Sequence, residues 1–245
     1  MKQDSRIDTA LANARTSFRW ESELCSSFRY SVSPNIWSKL ESGQWLVVEE
    51  STCSDGRADQ VWARLDPGWS CDILVANASI LVNRTASRIL AALQQKKRIP
   101  EIQLRALVGV TQAALRKALK ALLLAELIEA LVGNLYRIAR KISFPKIEIC
   151  AFEMKLENWK RALYQSTRYR SFSHRVFVVM PDTFAEVAIS KINQFEKVGI
   201  GLMTHAPDGT TKVIVRPNKK APRSSYQSLM ALGMLLSRGS ELHAN

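Results

Sequence analysis

Between residues 84 and 141 the apolar residues of this 245-residue chain recur at helical spacing, whereas on either side they read as strands. Upstream, WLVVEES (45–51) has the β-branched content of a strand. Cys53 to Gly56 supplies turn chemistry, and RADQVWARL returns as a second strand with Asp59 near its start. Downstream, KIEICAFEMKL, RVFVVMP, GIGLMTHAPDG and TKVIVRP read as strands, separated by helical stretches ENWKRALYQSTRYRSF and TFAEVAISKINQFEKV. That alternation predicts an α/β layer. Strands of one compact core are normally joined by short loops, so an excursion this long requires a folded unit of its own. The expected organisation is a mixed-sheet α/β core split between residues 1–80 and 142–245, with 81–141 inserted as a separate domain.

The inserted stretch divides into three helices and a hairpin. Ile89, Leu90 and Leu93 mark the first helix, and Ile102, Leu104 and Leu107 the second. Leu115, Leu119, Leu122 and Leu123 mark a third that begins after an N-cap at Thr111 and runs to about Ala130. LIEALVGNLYRIARK is a hairpin turning at Gly133-Asn134. This order predicts a winged helix-turn-helix whose third helix enters the major groove of DNA. Its candidate contact face carries Gln112, Arg116, Lys117 and Lys120. The alternative is an ordinary solvated face, and such modules also bind proteins. Elsewhere, residues 12–30 predict a helix with Trp20, Leu24 and Phe28 on one side and Glu21 and Glu23 beside it. Residues 71–77 (CDILVAN) predict a short strand. A last helix runs from Tyr226 to about Leu236, and its Leu229, Leu232, Leu235 and Leu236 either pair in a homodimer or cap the core of a monomer.

Charge sharpens the division. Residues 1–80 hold 8 Lys and Arg against 11 Asp and Glu, residues 84–141 hold 12 against 3, and residues 142–245 hold 15 against 8. The later regions therefore suit a polyanion such as DNA, the plainer alternative being a soluble protein of high pI. Cys25, Cys53, Cys71 and Cys150 show no C-x-x-C spacing, and His174, His205 and His243 lie far from them, which argues against zinc. No apolar run reaches the roughly 18 residues of a membrane span, and the opening residues carry two aspartates and no apolar core. The expectation is a cytoplasmic protein with reduced thiols and no membrane partner.

Chemistry is concentrated after the insertion. Glu153 and Lys155, two apart on a strand, share one face, and Gln165 and Tyr169, four apart on a helix, share another. With 14 Glu and 15 Lys in the chain, chance supplies about one Glu-x-Lys, the number seen. Placement gives the motif its weight: it ends an apolar strand, a helix bearing Gln165 and Tyr169 follows, and Asp59 opens a strand upstream. Asp55 and Asp72 are rivals for Asp59, the first as a turn residue and the second too far along.

In these residues the chain resembles the PD-(D/E)xK nuclease superfamily, in the RecB-type branch with a Q-x-x-x-Y motif. The resemblance covers residues 14 to about 60 and 145 to about 215, with GRADQVWA supplying the aspartate and FEMK the E-x-K. It departs from the pattern in lacking a proline before Asp59 and in the 94-position spacing from Asp59 to Glu153, which the inserted unit fills. The resemblance implies a restriction-endonuclease-like αβββαβ core and a Mg²⁺-dependent deoxyribonuclease, with Mn²⁺ as a substitute. Asp59 and Glu153 would then be metal ligands and Lys155 would orient water or stabilise phosphate charge. Gln165 and Tyr169 would be supporting residues, and Glu23, or Glu21 in its place, the acidic residue of the first helix. By their charge alone, Arg161 and Arg168, with Lys160, Arg170 and Arg175, either form a phosphate track into this centre or solvate a helix face. The alternative is a catalytically inactive nuclease-like DNA-binding regulator, or an interaction subunit in DNA repair or defence.

Overall fold

The computed structural model describes residues 17–36, 45–53 and 56–241. Helix α1 (Glu21–Ser31) precedes the hairpin β1 (Trp45–Cys53) and β2 (Gly56–Leu65). Then come α2 (Asp72–Ala76), α3 (Ala78–Leu81), α4 (Arg84–Gln95), β3 (Ile99–Pro100), α5 (Glu101–Val108), α6 (Gln112–Leu124), β4 (Ile128–Leu131) and β5 (Leu135–Ile138). The chain returns through β6 (Ile147–Met154), α7 (Trp159–Tyr169), β7 (Arg175–Pro181), α8 (Glu186–Ile189), α9 (Ile192–Val198), β8 (Gly201–His205) and β9 (Thr211–Val215). It ends in α10 (Ser225–Arg238) and β10 (Ser240–Glu241). The described residues form a seven-stranded sheet, β10-β1-β2-β6-β7-β8-β9, and a three-stranded one, β3-β5-β4. The large sheet is mixed: β6, β7 and β8 are parallel, and the remaining pairings are antiparallel.

β2 and β6 are neighbours although the inserted helices separate them in sequence. Their pairing starts at Leu65↔Ile147, where the excursion leaves and returns, and ends at Gln60↔Phe152. The insertion therefore hangs from one end of this strand pair, and Asp59 and Glu153 lie at the other. Six paired positions separate the two ends, about 20 Å at strand rise.

Side-chain alternation splits the core between the two faces of the sheet. One face is covered by α1, whose fully buried Leu24 and Phe28 pack with Trp62, Phe152 and Phe177. Phe28 lies 5.2 Å from Phe152 and 5.7 Å from Trp62, ring centre to ring centre. Burying Leu24 and Phe28 contributes about 1.5–3 kcal/mol each, so Phe28→Ala is the single change that would most loosen α1. The other face, with Ile149, Ala151, Val176 and Val178, packs under α7 and α10.

At one point β1 and β2 break this alternation together. Glu49 and Gln60 both reach α1, through Arg29 and the Cys25 carbonyl. Two residues farther along each strand, however, Ser51 donates to Met234 of α10 and Ala58 joins the opposite core. Between them stand Glu50, at φ 50°, and Asp59. A left-handed residue inside a strand reorients everything beyond it. Asp59 is thereby freed from both faces and turned toward β6.

Several sequence expectations need correction. Residues 71–77 hold the short helix α2 rather than a strand, closed where the Asn77 side chain donates to the Ile73 carbonyl. The first helix starts at Glu21. Trp20 is its extended N-cap, 66% exposed and off the buried face, and residues 12–16 lie outside the described residues. The third helix of the insertion stops at Leu124 because Glu126 turns left-handed and the Leu127 and Glu126 amides cap the Leu122 and Leu123 carbonyls. The stretch expected as one helix after β7 is two, α8 and α9, parted at Ser190 and Lys191. The leucines of α10 offered for a homodimer are spent inside the chain: Leu229, Leu232 and Leu235 are buried in the core, and Leu236 packs against it. Among the described residues no helix is long and apolar enough to cross a membrane.

Candidate active site

Asp59, Glu153, Lys155 and Tyr169 meet where β2 and β6 part, at the carboxyl ends of the parallel strands β6 and β7. Gln60↔Phe152 is the last ladder pair. One step on, the Asp59 carboxylate itself takes the next backbone donor, Oδ2 accepting the Met154 N–H at 2.6 Å. A side chain thus replaces a ladder bond, which fixes Asp59 beside Glu153. The parallel partner β7 continues past this point, its Val179 carbonyl accepting the Lys155 N–H, so Lys155 is held at the same end.

Glu153 is 1% exposed on a strand otherwise filled with apolar residues. Its Oε2 lies 2.5 Å from the Tyr169 hydroxyl, which also donates to the Arg57 carbonyl at 2.6 Å. A phenol has one proton to give. When Tyr169 gives it to Arg57, the bond to Glu153 needs a proton on the carboxyl. Burial first, and the charge of Asp59 second, push Glu153 up to about 7, against smaller opposing effects from Tyr169 and Lys155. Asp59 is raised too, chiefly by burial, although the Met154 N–H and Lys155 favour its charged form. For Lys155, burial works against the charge, but Glu21, Asp59 and Glu153 together outweigh it and raise the ammonium above its ordinary value. Its Nζ lies 2.6 Å from Glu21 and 3.6 Å from Glu153 Oε1.

Two buried carboxylates, both raised by burial and one raised further by the other's charge, form a site that a cation would relax. Asp59 Oδ2 and Glu153 Oε2 are taken up by the protein, which leaves Asp59 Oδ1 and Glu153 Oε1 as hard oxygen donors. Among the described residues no three His, Cys, Asp or Glu gather into a metal-holding group. Two carboxylate oxygens are the number of protein ligands that an ion such as Mg²⁺, which keeps several waters, can take.

The other expected residues divide. Gln165, one turn before Tyr169, hydrogen-bonds neither carboxylate, and its Oε1 is buried without a partner among the described residues. Glu23 is not at the site: its Oε2 accepts the Arg19 N–H, capping the start of α1. Glu21 reaches Lys155 in its place. The expected buried face, Leu24 and Phe28, is the one observed, and the choice between the two acids rested on the resemblance alone. Of the rivals to Asp59, Asp72 lies in the first turn of α2 beside Ser70, and Asp55 is outside the described residues. Arg57, whose carbonyl anchors Tyr169, was missed, since no side-chain pattern signals a backbone acceptor.

Arg161 and Arg168 are exposed on α7. Arg168 lies 4.9 Å over the Tyr164 ring and donates to its hydroxyl. Arg170 and Arg175 face inward instead, donating to the His174 and Pro217 carbonyls. In the insertion, Thr111 caps α6 as expected. Lys117 and Lys120 are exposed, but Gln112 and Arg116 are both tied back to Glu101 of α5. Cys25, Cys71 and Cys150 form no disulfide among the described residues. Comparison of the chain with family models, curated proteins and solved structures finds no match.

Proposed function

We propose that this chain is a divalent-metal-dependent deoxyribonuclease of the PD-(D/E)xK type, with a restriction-endonuclease-like core and a winged helix-turn-helix inserted between its second and third core strands. The observation that carries the reading is the buried convergence of Asp59 and Glu153, two carboxylates whose proton affinity burial raises, Glu153 further through the charge of Asp59, with Lys155 beside them. Such an arrangement destabilises a fold unless it has work to do. The chain order α1-β1-β2-β6-α7-β7 supports the family, and three helices with a three-stranded antiparallel sheet support the winged helix.

Bound Mg²⁺ or Mn²⁺ would polarise the scissile phosphate and make a coordinated water acidic. Asp59 Oδ1 and Glu153 Oε1 would hold it. Tyr169 fixes the Glu153 carboxyl against rotation, and Lys155, aimed by Glu21, offers an ammonium to the water or to charge growing on the phosphate. Lys117 and Lys120, on the segment that leaves and rejoins the sheet at the other end of β2 and β6, would hold duplex phosphates away from the chemistry.

A second reading, a DNA-binding regulator with a silent site, draws on the protein's occupation of one oxygen of each carboxylate. Cleavage of single-stranded, duplex and branched DNA with Mg²⁺ or Mn²⁺ separates the two. The parent should cut at least one substrate, Lys155→Ala should lose about 10²–10³-fold in rate, and Glu153→Ala should be inactive. Equal cleavage by all three removes the assigned site, while salt-sensitive duplex binding without cleavage selects the regulator.

A further inference from the structure

Two exposed aromatic rings stand on the elements that carry Glu21 and Tyr169. Trp20 is 66% exposed and immediately precedes Glu21, the residue that pairs with Lys155. Tyr164 is 63% exposed on α7 and is covered on one side by Arg168 at 4.9 Å. Arg168 stands next to Tyr169, and both border Gly56: a Cβ built there would lie 3.6 Å from the Tyr169 ring and 3.9 Å from Arg168 Cδ. Tyr30 is exposed as well, but it lies at the far end of α1. Leaving a tryptophan and a tyrosine in water forgoes a large hydrophobic gain, and here it happens within one residue, or one helical turn, of residues bordering the chemistry.

We infer that the strand entering this site is an unpaired nucleic-acid strand, with bases stacked on Trp20 and Tyr164 and phosphates drawn past exposed Arg57, Lys160 and Arg161. The inference rests on the nuclease reading for its orientation toward the metal centre. Aromatic side chains grip nucleic acid through the open faces of bases, which a duplex hides inside its stack. A tyrosine carrying a guanidinium pairs a π-surface with a positive charge, the combination found where single strands are bound without sequence preference. The candidate duplex-binding helix α6 belongs to the insertion, at the opposite end of β2 and β6. The two surfaces therefore serve different parts of one substrate, a duplex with an unpaired tail.

The test is fluorescence anisotropy of a fluorescein-labelled oligothymidylate, and of a blunt duplex as control, in EDTA so that nothing is cut. Trp20→Ala and Tyr164→Ala should each weaken oligothymidylate binding about tenfold, and Trp20→Phe and Tyr164→Phe should stay within about twofold of the parent. Duplex affinity should be the same for all five proteins. Oligothymidylate binding unchanged in the alanine variants, or duplex affinity falling in step with it, overturns the inference. A cleavage assay with Mg²⁺ keeps the two readings apart. Ring-dependent binding without cleavage of any DNA sinks the nuclease and leaves the single-strand grip. Cleavage of duplex as fast as of oligothymidylate, at parental rate in both alanine variants, does the reverse.

Discussion

Glu148 and Glu153 stand at the two ends of strand β6, equally withdrawn from water at 4% and 1% exposure, and they are treated in opposite ways. Burial would raise both. At Glu148 the hydrogen bonds and charges of Lys219 and Arg175, at 2.8 and 2.9 Å, outweigh it and hold the carboxyl below its ordinary value. At Glu153 burial and the charge of Asp59 outweigh the single cation, Lys155 at 3.6 Å, and the group is pushed up to about 7. One end of the strand neutralises its buried acid and the other frustrates it. A chain able to place two cations around Glu148 had the means to do the same for Glu153. Keeping this pair short of cations is what the proposed nuclease centre requires.

The comparison breaks first if Glu148 turns out to be dispensable. Glu148→Gln leaves Arg175 and Lys219 facing no charge, and breaking a buried pair of this kind costs about 3–5 kcal/mol, with the lower figure expected because Lys219 is half exposed and can turn to water. The sign with pH follows from the lowered value. The contribution is present above the ordinary 4.5 of a glutamate and is lost as pH falls through the folded-state value. Urea denaturation at neutral pH should show the full loss, with parent and variant converging in acid. A loss under about 1 kcal/mol at neutral pH would mean that the two ends of β6 do not differ as described.

Glu153→Gln should move stability the other way. A folded-state value near 7 against an unfolded one near 4.5 means that the proton favours the folded state. This favour is complete below 4.5 and gone once pH has risen through 7. Above that, the ionised parent carries a penalty of about 3 kcal/mol, which a neutral glutamine avoids. Denaturation in EDTA should therefore find the variant more stable at pH 8 and equal to the parent at pH 4, while cleavage is abolished. Destabilisation at pH 8 would show an ordinary structural carboxylate and remove the main support for the site.

How much of this was legible in the sequence depended on whether a residue's role was set locally. The strands around Asp59 and Glu153 and the first two helices of the excursion announce themselves through period, and Thr111 through its capping chemistry, so they stand where expected, whereas the end of the third helix, set by the left-handed Glu126, does not. Asp59 was found by its position in a strand, but its aim was not: that depends on Glu50 taking φ 50° in the neighbouring strand, which no pattern in either strand encodes. CDILVAN reads equally well in two states because short apolar runs carry no reliable period. Gln112 and Arg116 looked free for DNA because Glu101, which holds both, lies on another helix.

The smallest expected effect concerns the two acids of α1, which sequence alone ranked in the wrong order. Glu23 caps the helix through the Arg19 amide, and glutamine serves that role nearly as well. Glu23→Gln should therefore leave cleavage within about twofold and stability within about 0.5 kcal/mol. Glu21 meets Lys155 at 2.6 Å with its own side chain half exposed, so Glu21→Gln should also cost under about 1 kcal/mol in stability. Its cleavage should fall about tenfold, because the Lys155 ammonium loses the group that aims it. The difference lies in the pH profile as well as the rate: without Glu21 the raised proton affinity of Lys155 drops, and the alkaline limb of the profile should move to lower pH. If Glu23→Gln slows cleavage and Glu21→Gln does not, the helix presents its other carboxylate to the site, and Lys155 is aimed by Glu153 and Asp59 alone.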